Sequence, residues 1–197
     1  RQRQMCIRDR HDDYGQNIIE RLDNGLADFG VLVQPTDMSR YDFLPLPTGD
    51  PMGLLMRYDH PLATRESIHP KDLADVPVIV PQGVLNRRDL SGWYKSGNKE
   101  LNIVGTMNLL YNASCFVQEG YGCAICLQGL VDTSWESGLV FQPLDPPMQT
   151  HLAIAWKKSQ PPTPAADAFL TELRSVIADI NRDNKESVPS PRNGAQR

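Results

Sequence analysis

From Gln16 onward the apolar residues Ile18, Ile19, Leu22 and Leu26 recur on one helical stripe, and Gly25 supplies a stop. The spacing predicts a helix over 16–24. The pattern then becomes continuous. ADFGVLV, residues 27–33, reads as a short buried strand that Gln34-Pro35 ends. FLPLP at 43–47 and MGLLMR at 52–57 read as two more strands, the first at a sheet edge because proline lacks the N–H a central ladder needs. Pro70 opens a short helix to Asp75, PVIVP at 77–81 is a buried strand, and 86–96 reads as helical.

LNIVGT, residues 101–106, is a strand that runs directly into NLLYNASCFVQEG. There Leu109, Leu110, Ala113, Phe116 and Val117 form one apolar stripe, and Gly120 closes the helix. GCAICL at 122–127, LVFQPL at 139–144 and HLAIAW at 151–156 are strands. Thr163-Pro164 starts the last helix as N-cap and first-turn proline, with Phe169, Leu170, Leu173, Val176, Ile177 and Ile180 as its expected buried face. Residues 1–15 carry no period and read as a disordered or foreign segment, and 183–197 as a disordered tail. Strands alternate with helices, so the expected class is α/β with a largely parallel sheet.

The chain has 197 residues, room for one domain or two small lobes. It is 40% hydrophobic and 22% charged, ordinary for a globular protein, and its net charge of −4 argues against a large nucleic-acid-binding face. No apolar run approaches the roughly 18 residues of a membrane helix. The basic start has no apolar stretch after it, so the expected location is cytoplasmic and no membrane partner is expected. Arg1 rather than methionine at the first position leads us to expect a fragment. Of the four cysteines, Cys115, Cys123 and Cys126 sit in apolar segments and read as buried free thiols.

Two turns can bind something. The segment Gly105-Thr106-Met107-Asn108 joins a strand to a helix, which puts a helix N-terminus at the carboxyl edge of the sheet. Free backbone N–H groups and the helix dipole favour an anion or a carbonyl oxygen there, and Thr106 or Asn108 can cap the helix and face a ligand; plain capping accounts for the same residues. The loop after 77–81 holds Gln82, with both donor and acceptor, and Gly83, which permits close backbone approach; an ordinary surface loop with solvated Arg87 and Arg88 is the competing reading.

Cys123-Ala-Ile-Cys126 has the CxxC spacing of zinc and redox sites. In a strand its two side chains point to opposite faces, and no histidine is near in sequence, so we read core thiols and no metal or cofactor. His11, His60, His69 and His151 are scattered, and no nucleophile, metal or phosphate-loop motif accompanies them. The chain reads as a non-enzyme. Trp93, Trp135 and Trp156 are expected to pack in the core.

The order of segments resembles the effector-binding domain of LysR-type bacterial transcriptional regulators. ERLDNGLADFGVLVQP, LLMRYDHPLA, VPVIVP, NLLYNASCFVQEGYGCAICLQGL and HLAIAWKKSQPPTPAADAFLTELRSV carry the likeness over about residues 16–180. The resemblance implies two Rossmann-like lobes as in type 2 periplasmic binding proteins. The first, incomplete, holds 16–75 with a returning strand and helix at 151–182; the second holds 76–150. A small-molecule effector would sit between them, and the amphipathic turns with few charges suggest a small carboxylate or aromatic acid. By motif, Gln82, Gly83, Thr106 and Asn108 would line the second lobe's side and Gln34 the first. The family also implies a homo-oligomer, a dimer or tetramer, with helices 16–24 and 108–118 facing a second copy, and DNA binding through an N-terminal winged helix-turn-helix. RQRQMCIRDR stands where the first lobe's first strand, first long helix and second strand would be. A free-standing solute-binding protein of the same fold is the alternative, and it would need a signal peptide. Genomic sequence upstream of Gln16 should encode a helix-turn-helix joined by a long helix; an in-frame stop or a signal peptide there would overturn this expectation.

Overall fold

The computed structural model describes residues 10–11, 13, 15–82, 92–94 and 101–186, with residues 184–186 described by backbone alone. Gly83, most of the helix expected at 86–96, most of the N-terminal segment and the tail beyond 186 lie outside the described residues.

Helix α1, Gly15–Asp23, packs Leu22 against strand β1, Gly30–Val33. It ends in a Schellman motif: Gly25, in the left-handed region, donates its N–H to the Leu22 carbonyl, and Leu26 donates to Arg21. A hydrogen bond and a salt bridge hold that end. The Tyr41 hydroxyl donates to Asp23 at 2.5 Å and Arg40 pairs with the same carboxylate at 2.8 Å. Lys157 Nζ donates to the Asp23 carbonyl, a cation at a helix C-terminus. The Tyr41 hydrogen bond leads the causes that hold the Asp23 carboxyl below its ordinary range.

The two strands expected at 43–47 and 52–57 are one. Strand β2 runs from Tyr41 to Arg57, 17 residues, with a register slip between Pro45 and Gly49. Its first part pairs with β7, Gln149–Lys157, which pairs in turn with β1. Its last part, Met52–Arg57, pairs with β5, Cys123–Leu127, and with β6, Leu139–Pro143. Beyond β5 lie β3, Val78–Pro81, and then β4, Ile103–Met107. Among the described residues the path β1-β7-β2-β5-β3-β4 ends with β1 at one side and β4 at the other. The prolines at 45 and 47 lie where β2 has a single partner, as expected of an edge.

The sheet is mixed rather than largely parallel. Only β3 with β4 and β3 with β5 run parallel; β2, β6, β7 and β1 pair antiparallel. Continuous apolar composition marked burial on both faces, which β2 acquires through antiparallel neighbours as readily as β3 does through parallel ones. Leu54 and Met56 face one core with Val78, Val80, Trp93 and Ile125. Leu55 faces the other, with Ile79, Met107, Ala113 and Val117.

Other expectations of burial fail at the margins. Val31 and Val33 are exposed because β1 is an edge strand covered on one face. Leu26 follows the helix-ending glycine and points out. The last helix, α3, Pro164–Glu186, begins with Thr163 Oγ1 accepting from the Ala166 N–H, and it continues past the expected end at 182. It buries Ala166, Leu170 and Ile177, whereas Phe169, Val176 and Ile180 are exposed. Phe169 instead meets Phe29, which meets Trp156, and Arg174 lies over the Trp156 ring. Trp135 is 86% exposed, with its ring tilted against Tyr58, while Trp93 is buried and donates to the Pro146 carbonyl.

Leu54 is fully buried in β2, so Leu54→Ala should cost about 2–5 kcal/mol, whereas Val31→Ala on the exposed face of β1 should stay within about 0.5 kcal/mol. Urea unfolding followed by circular dichroism checks both.

Candidate functional site

β4 leads to helix α2, Leu110–Gln118, through only Asn108 and Leu109. The strand reaches Met107, one residue further than the sequence pattern suggested. Thr106 is therefore a strand residue, paired with Val80. Neither Thr106 nor Asn108 caps the helix. Leu109 is the N-cap, in extended conformation and without a side-chain cap, and Asn108 Oδ1 accepts from the Leu109 N–H at 2.9 Å. The Asn108 side chain thus binds a donor outside the helix, and the first turn of α2 keeps its N–H groups free of a side-chain cap.

Beside this turn lies a cavity of about 320 Å³ lined by residues of β3, β4 and α2. Thr106 and Asn108 both line it, with Val104, Asn112, Phe116 and Tyr121. The volume is at the small end of the range ligand pockets span, about 300–1,000 Å³. Gln82 stands next to it without lining it: its backbone N–H donates to the Met107 carbonyl at 2.7 Å, and its side chain is exposed. Gln34 follows β1, where its N–H donates to the His151 carbonyl and its side-chain oxygen accepts from Thr36 N–H; it does not line this cavity. Thr106 and Asn108 are therefore brought together, and the position of Gly83 is outside the described residues.

Phe116, Tyr121 and Val104 did not stand out as site residues. Phe116 belonged to the apolar stripe of α2, yet it is 55% exposed, while Ala113, Ser114 and Val117 take the buried face. Its neighbour Val117 points to the core, and a helix advances about 100° per residue, so the two cannot both face inward at depth. The helix end then fixes the ring pair. Gly120, at φ 79°, donates to the Val117 carbonyl, and Tyr121 donates to the Phe116 carbonyl. In this Schellman motif the residue after the glycine packs on the residue three before the cap. Here those residues are Tyr121 and Phe116, with ring centroids 5.9 Å apart and planes at 71°.

The CxxC is divided between the two cores. Cys123 faces the Leu54–Met56 side and Cys126 the Leu55 side, as strand alternation requires. Both are free thiols, and burial raises Cys123 to about 11 and Cys126 to about 12. Cys115, expected to be buried, is exposed on α2 and donates to the Tyr111 carbonyl. Among the described residues no group of three or more histidine, cysteine or acidic side chains is arranged to hold a metal ion. His60 and His69 make local contacts. His69 lies 3.5 Å from Asp145, and its N–H is held by Asp72; His60 Nδ1 accepts from Leu62 N–H, and burial lowers its pKa. No helix of the described residues is long and apolar enough to cross a membrane.

Comparison with known proteins gives the family. The LysR substrate binding domain model matches residues 10–178. An uncharacterized HTH-type transcriptional regulator, YvbU of Bacillus subtilis (strain 168), is 26% identical over 168 residues, covering 85% of this chain and 56% of that protein. The chain therefore spans just over half the length of that relative. Among solved structures, the CcmR regulatory domain of Synechocystis PCC6803 in complex with 2-PG superposes with a TM-score of 0.70 at 20% identity, covering 83% of this chain and 80% of that one. The effector binding domain of QuiR in complex with shikimate gives 0.68 at 21% identity, covering 80% and 75%. This chain belongs to the LysR substrate-binding domain family, and its fold is the type 2 periplasmic-binding-protein-like fold of that family.

Thiol reagents at about pH 8 should label Cys115 in the folded chain and reach Cys123 and Cys126 only on denaturation, because burial suppresses their thiolates. The unfolded chain loses those protons first as pH passes the ordinary value of 9.0. Folding stability should therefore fall between there and about 12, and less steeply with both changed to alanine. Denaturant midpoints across that range read the slope.

Proposed function

We propose that this chain is the effector-sensing domain of a LysR-type transcriptional regulator that works in the cytoplasm. A small molecule binds at the carboxyl end of β4, and the change it causes passes to a winged helix-turn-helix that binds DNA. Family membership supports the sensing role, and so do the ligand-bound regulatory domains of the same fold. The observation that carries the site is the cavity that unites Thr106 and Asn108 at the start of α2. Helix N-terminal N–H groups there suit a carboxylate or a carbonyl oxygen on the ligand. Gln82, on the turn after β3, Gly83, next to it in sequence, and Gln34, after β1, complete the proposed effector contacts.

The division into lobes belongs to the same proposal. One lobe is built on β1, β7, the first part of β2, α1 and α3. The other is built on the remaining strands and α2. A ligand that contacts both lobes better in one arrangement than another shifts the population between them. The regulator is a dimer or tetramer, and the outer faces of α1 and α2 meet a second copy. No catalytic role is assigned.

A thermal-shift screen of small acids and amides, beginning with shikimate, supplies a ligand whose affinity calorimetry then measures. Thr106→Val should weaken that binding by roughly 0.5–1.5 kcal/mol through loss of one hydrogen bond, with an unchanged melt because Thr106 is exposed. Unchanged affinity in both Thr106→Val and Asn108→Ala would place the effector elsewhere.

A further inference from the structure

Where β2 ends, two aromatic side chains stand in solvent. Tyr58 follows the strand, and Trp135 opens a short 3-10 turn, Trp135–Ser137, that leads into β6. The two are 60% and 86% exposed, and their ring centroids lie 5.9 Å apart with planes at 51°. Neither belongs to α1 or α2, the helices proposed to meet a second copy, and neither lines the cavity beside β4. Both cores are built without them. Adjoining apolar rings held on the surface mark a contact site, and tryptophan and tyrosine are among the side chains that anchor interfaces most often.

The backbone beneath the pair is fixed. The Tyr58 N–H donates to the Gly138 carbonyl, and the Gly138 N–H donates to the Trp135 carbonyl. The Ser137 N–H and hydroxyl both donate to the Ser134 carbonyl. Rings on so tied a turn are pre-set, and a partner loses little freedom in ordering them. The charge around them is negative. Asp132 accepts from the N–H and the hydroxyl of Ser134, just before Trp135. Those bonds, the N–H first, hold the Asp132 carboxyl below its ordinary range, so it is charged at neutral pH. Glu136 follows Trp135 and is exposed as well. Arg57 forks onto both oxygens of Asp59 and donates another N–H to the Gln118 carbonyl, so this cation is already engaged. The chain itself shows what suits a tryptophan face: Arg174 lies over Trp156, 6.0 Å from the ring centroid.

We propose that Tyr58 and Trp135 form a docking surface for an arginine-bearing segment of a partner polypeptide. The guanidinium lies flat on the exposed face of Trp135, Tyr58 covers the apolar stem of that arginine, and Asp132 and Glu136 answer its charge. Arginine suits the surface better than lysine, because its planar group stacks on a ring and is the more weakly hydrated of the two. The proposal does not rest on the effector reading.

Tetra-arginine, tetra-lysine and tetraproline peptides with capped ends test it. The 197-residue chain, labelled with ¹⁵N, is titrated with each near neutral pH. The indole N–H signal of Trp135 reads the ring directly, and those of Trp93 and Trp156 serve as controls. Tetra-arginine should move the Trp135 signal and the amides of Tyr58, Glu136 and Gly138, and bind at least about threefold more tightly than tetra-lysine. Trp135→Ala should weaken tetra-arginine about fivefold, read at those amides, with an unchanged melt because the side chain is exposed. Trp135→Phe, which keeps a ring, should restore part of the loss. Tetra-lysine binding as tightly as tetra-arginine would overturn the arginine assignment. Tetra-arginine binding that ignores Trp135→Ala would overturn the ring contact. Tetraproline binding as tightly at the same signals would assign the rings to a proline-rich partner and overturn the proposal. Shifts that follow protein concentration without any peptide would assign them to a second copy of the chain, with the same consequence. Absence of a shift at Trp135 with tetra-arginine would overturn it as well.

Discussion

Strand β2 is the constraint on which the rest of the molecule depends. One extended segment, Tyr41–Arg57, supplies ladder hydrogen bonds to β7 over its first part and to β5 and β6 over its last. A strand presents alternate side chains to opposite faces, so Leu54 and Met56 must enter one core and Leu55 the other. Those two cores decide where α2 can lie, because Ala113 and Val117 have only the Leu55 side to pack against. The position of α2 in turn sets the turn at Asn108 and the space between α2 and β4. The register slip between Pro45 and Gly49 separates the two regimes of pairing and leaves the two parts of β2 with different neighbours.

Much of this architecture was legible in the sequence, for identifiable reasons. The termini of α1 and α2 were marked by Gly25 and Gly120, whose positive φ the helix endings require. The start of α3 was marked by Thr163-Pro164. Strand direction was not legible, because a residue buried on both faces looks the same whether its neighbours run parallel or antiparallel. The fusion of 43–47 with 52–57 was hidden by Pro45, Pro47 and Gly49, which normally punctuate strands and here sit where the ladder has one side only. Exposure at Val31, Phe169 and Trp135 was also unreadable: apolarity states what a residue tolerates, whereas its cover depends on which elements lie across from it.

For the candidate site the legible part was topological. A strand running almost directly into a helix identifies a carboxyl-end turn, and Thr106 and Asn108 do line a cavity there. The pattern misassigned the chemistry of the turn, since Leu109 rather than a hydroxyl or amide residue occupies the cap and Asn108 turns back onto its neighbour's N–H. It also missed the aromatic wall. Phe116 satisfies the helical stripe as well as Val117 does, and only the packing of α2 over Leu55 and Ile79 decides which of the two faces inward. Electrostatics follows burial in this half of the molecule: the thiols of Cys123 and Cys126 are kept protonated inside the cores.

The Schellman ending of α2 joins two properties that are usually independent. Gly120 stops the helix, and the same hydrogen bonds bring Tyr121 onto Phe116. The punctuation of a secondary-structure element and the furnishing of a pocket are thus written in the same few residues. A related chain can exchange the rings at 116 and 121 without disturbing either core, because both are exposed, while the glycine keeps the helix ending unchanged. Loss of the glycine would alter the helix ending and the ring pair together. Variation at these two positions needs no change in either core, so the surface at the end of α2 can diverge among relatives while the fold beneath it stays fixed.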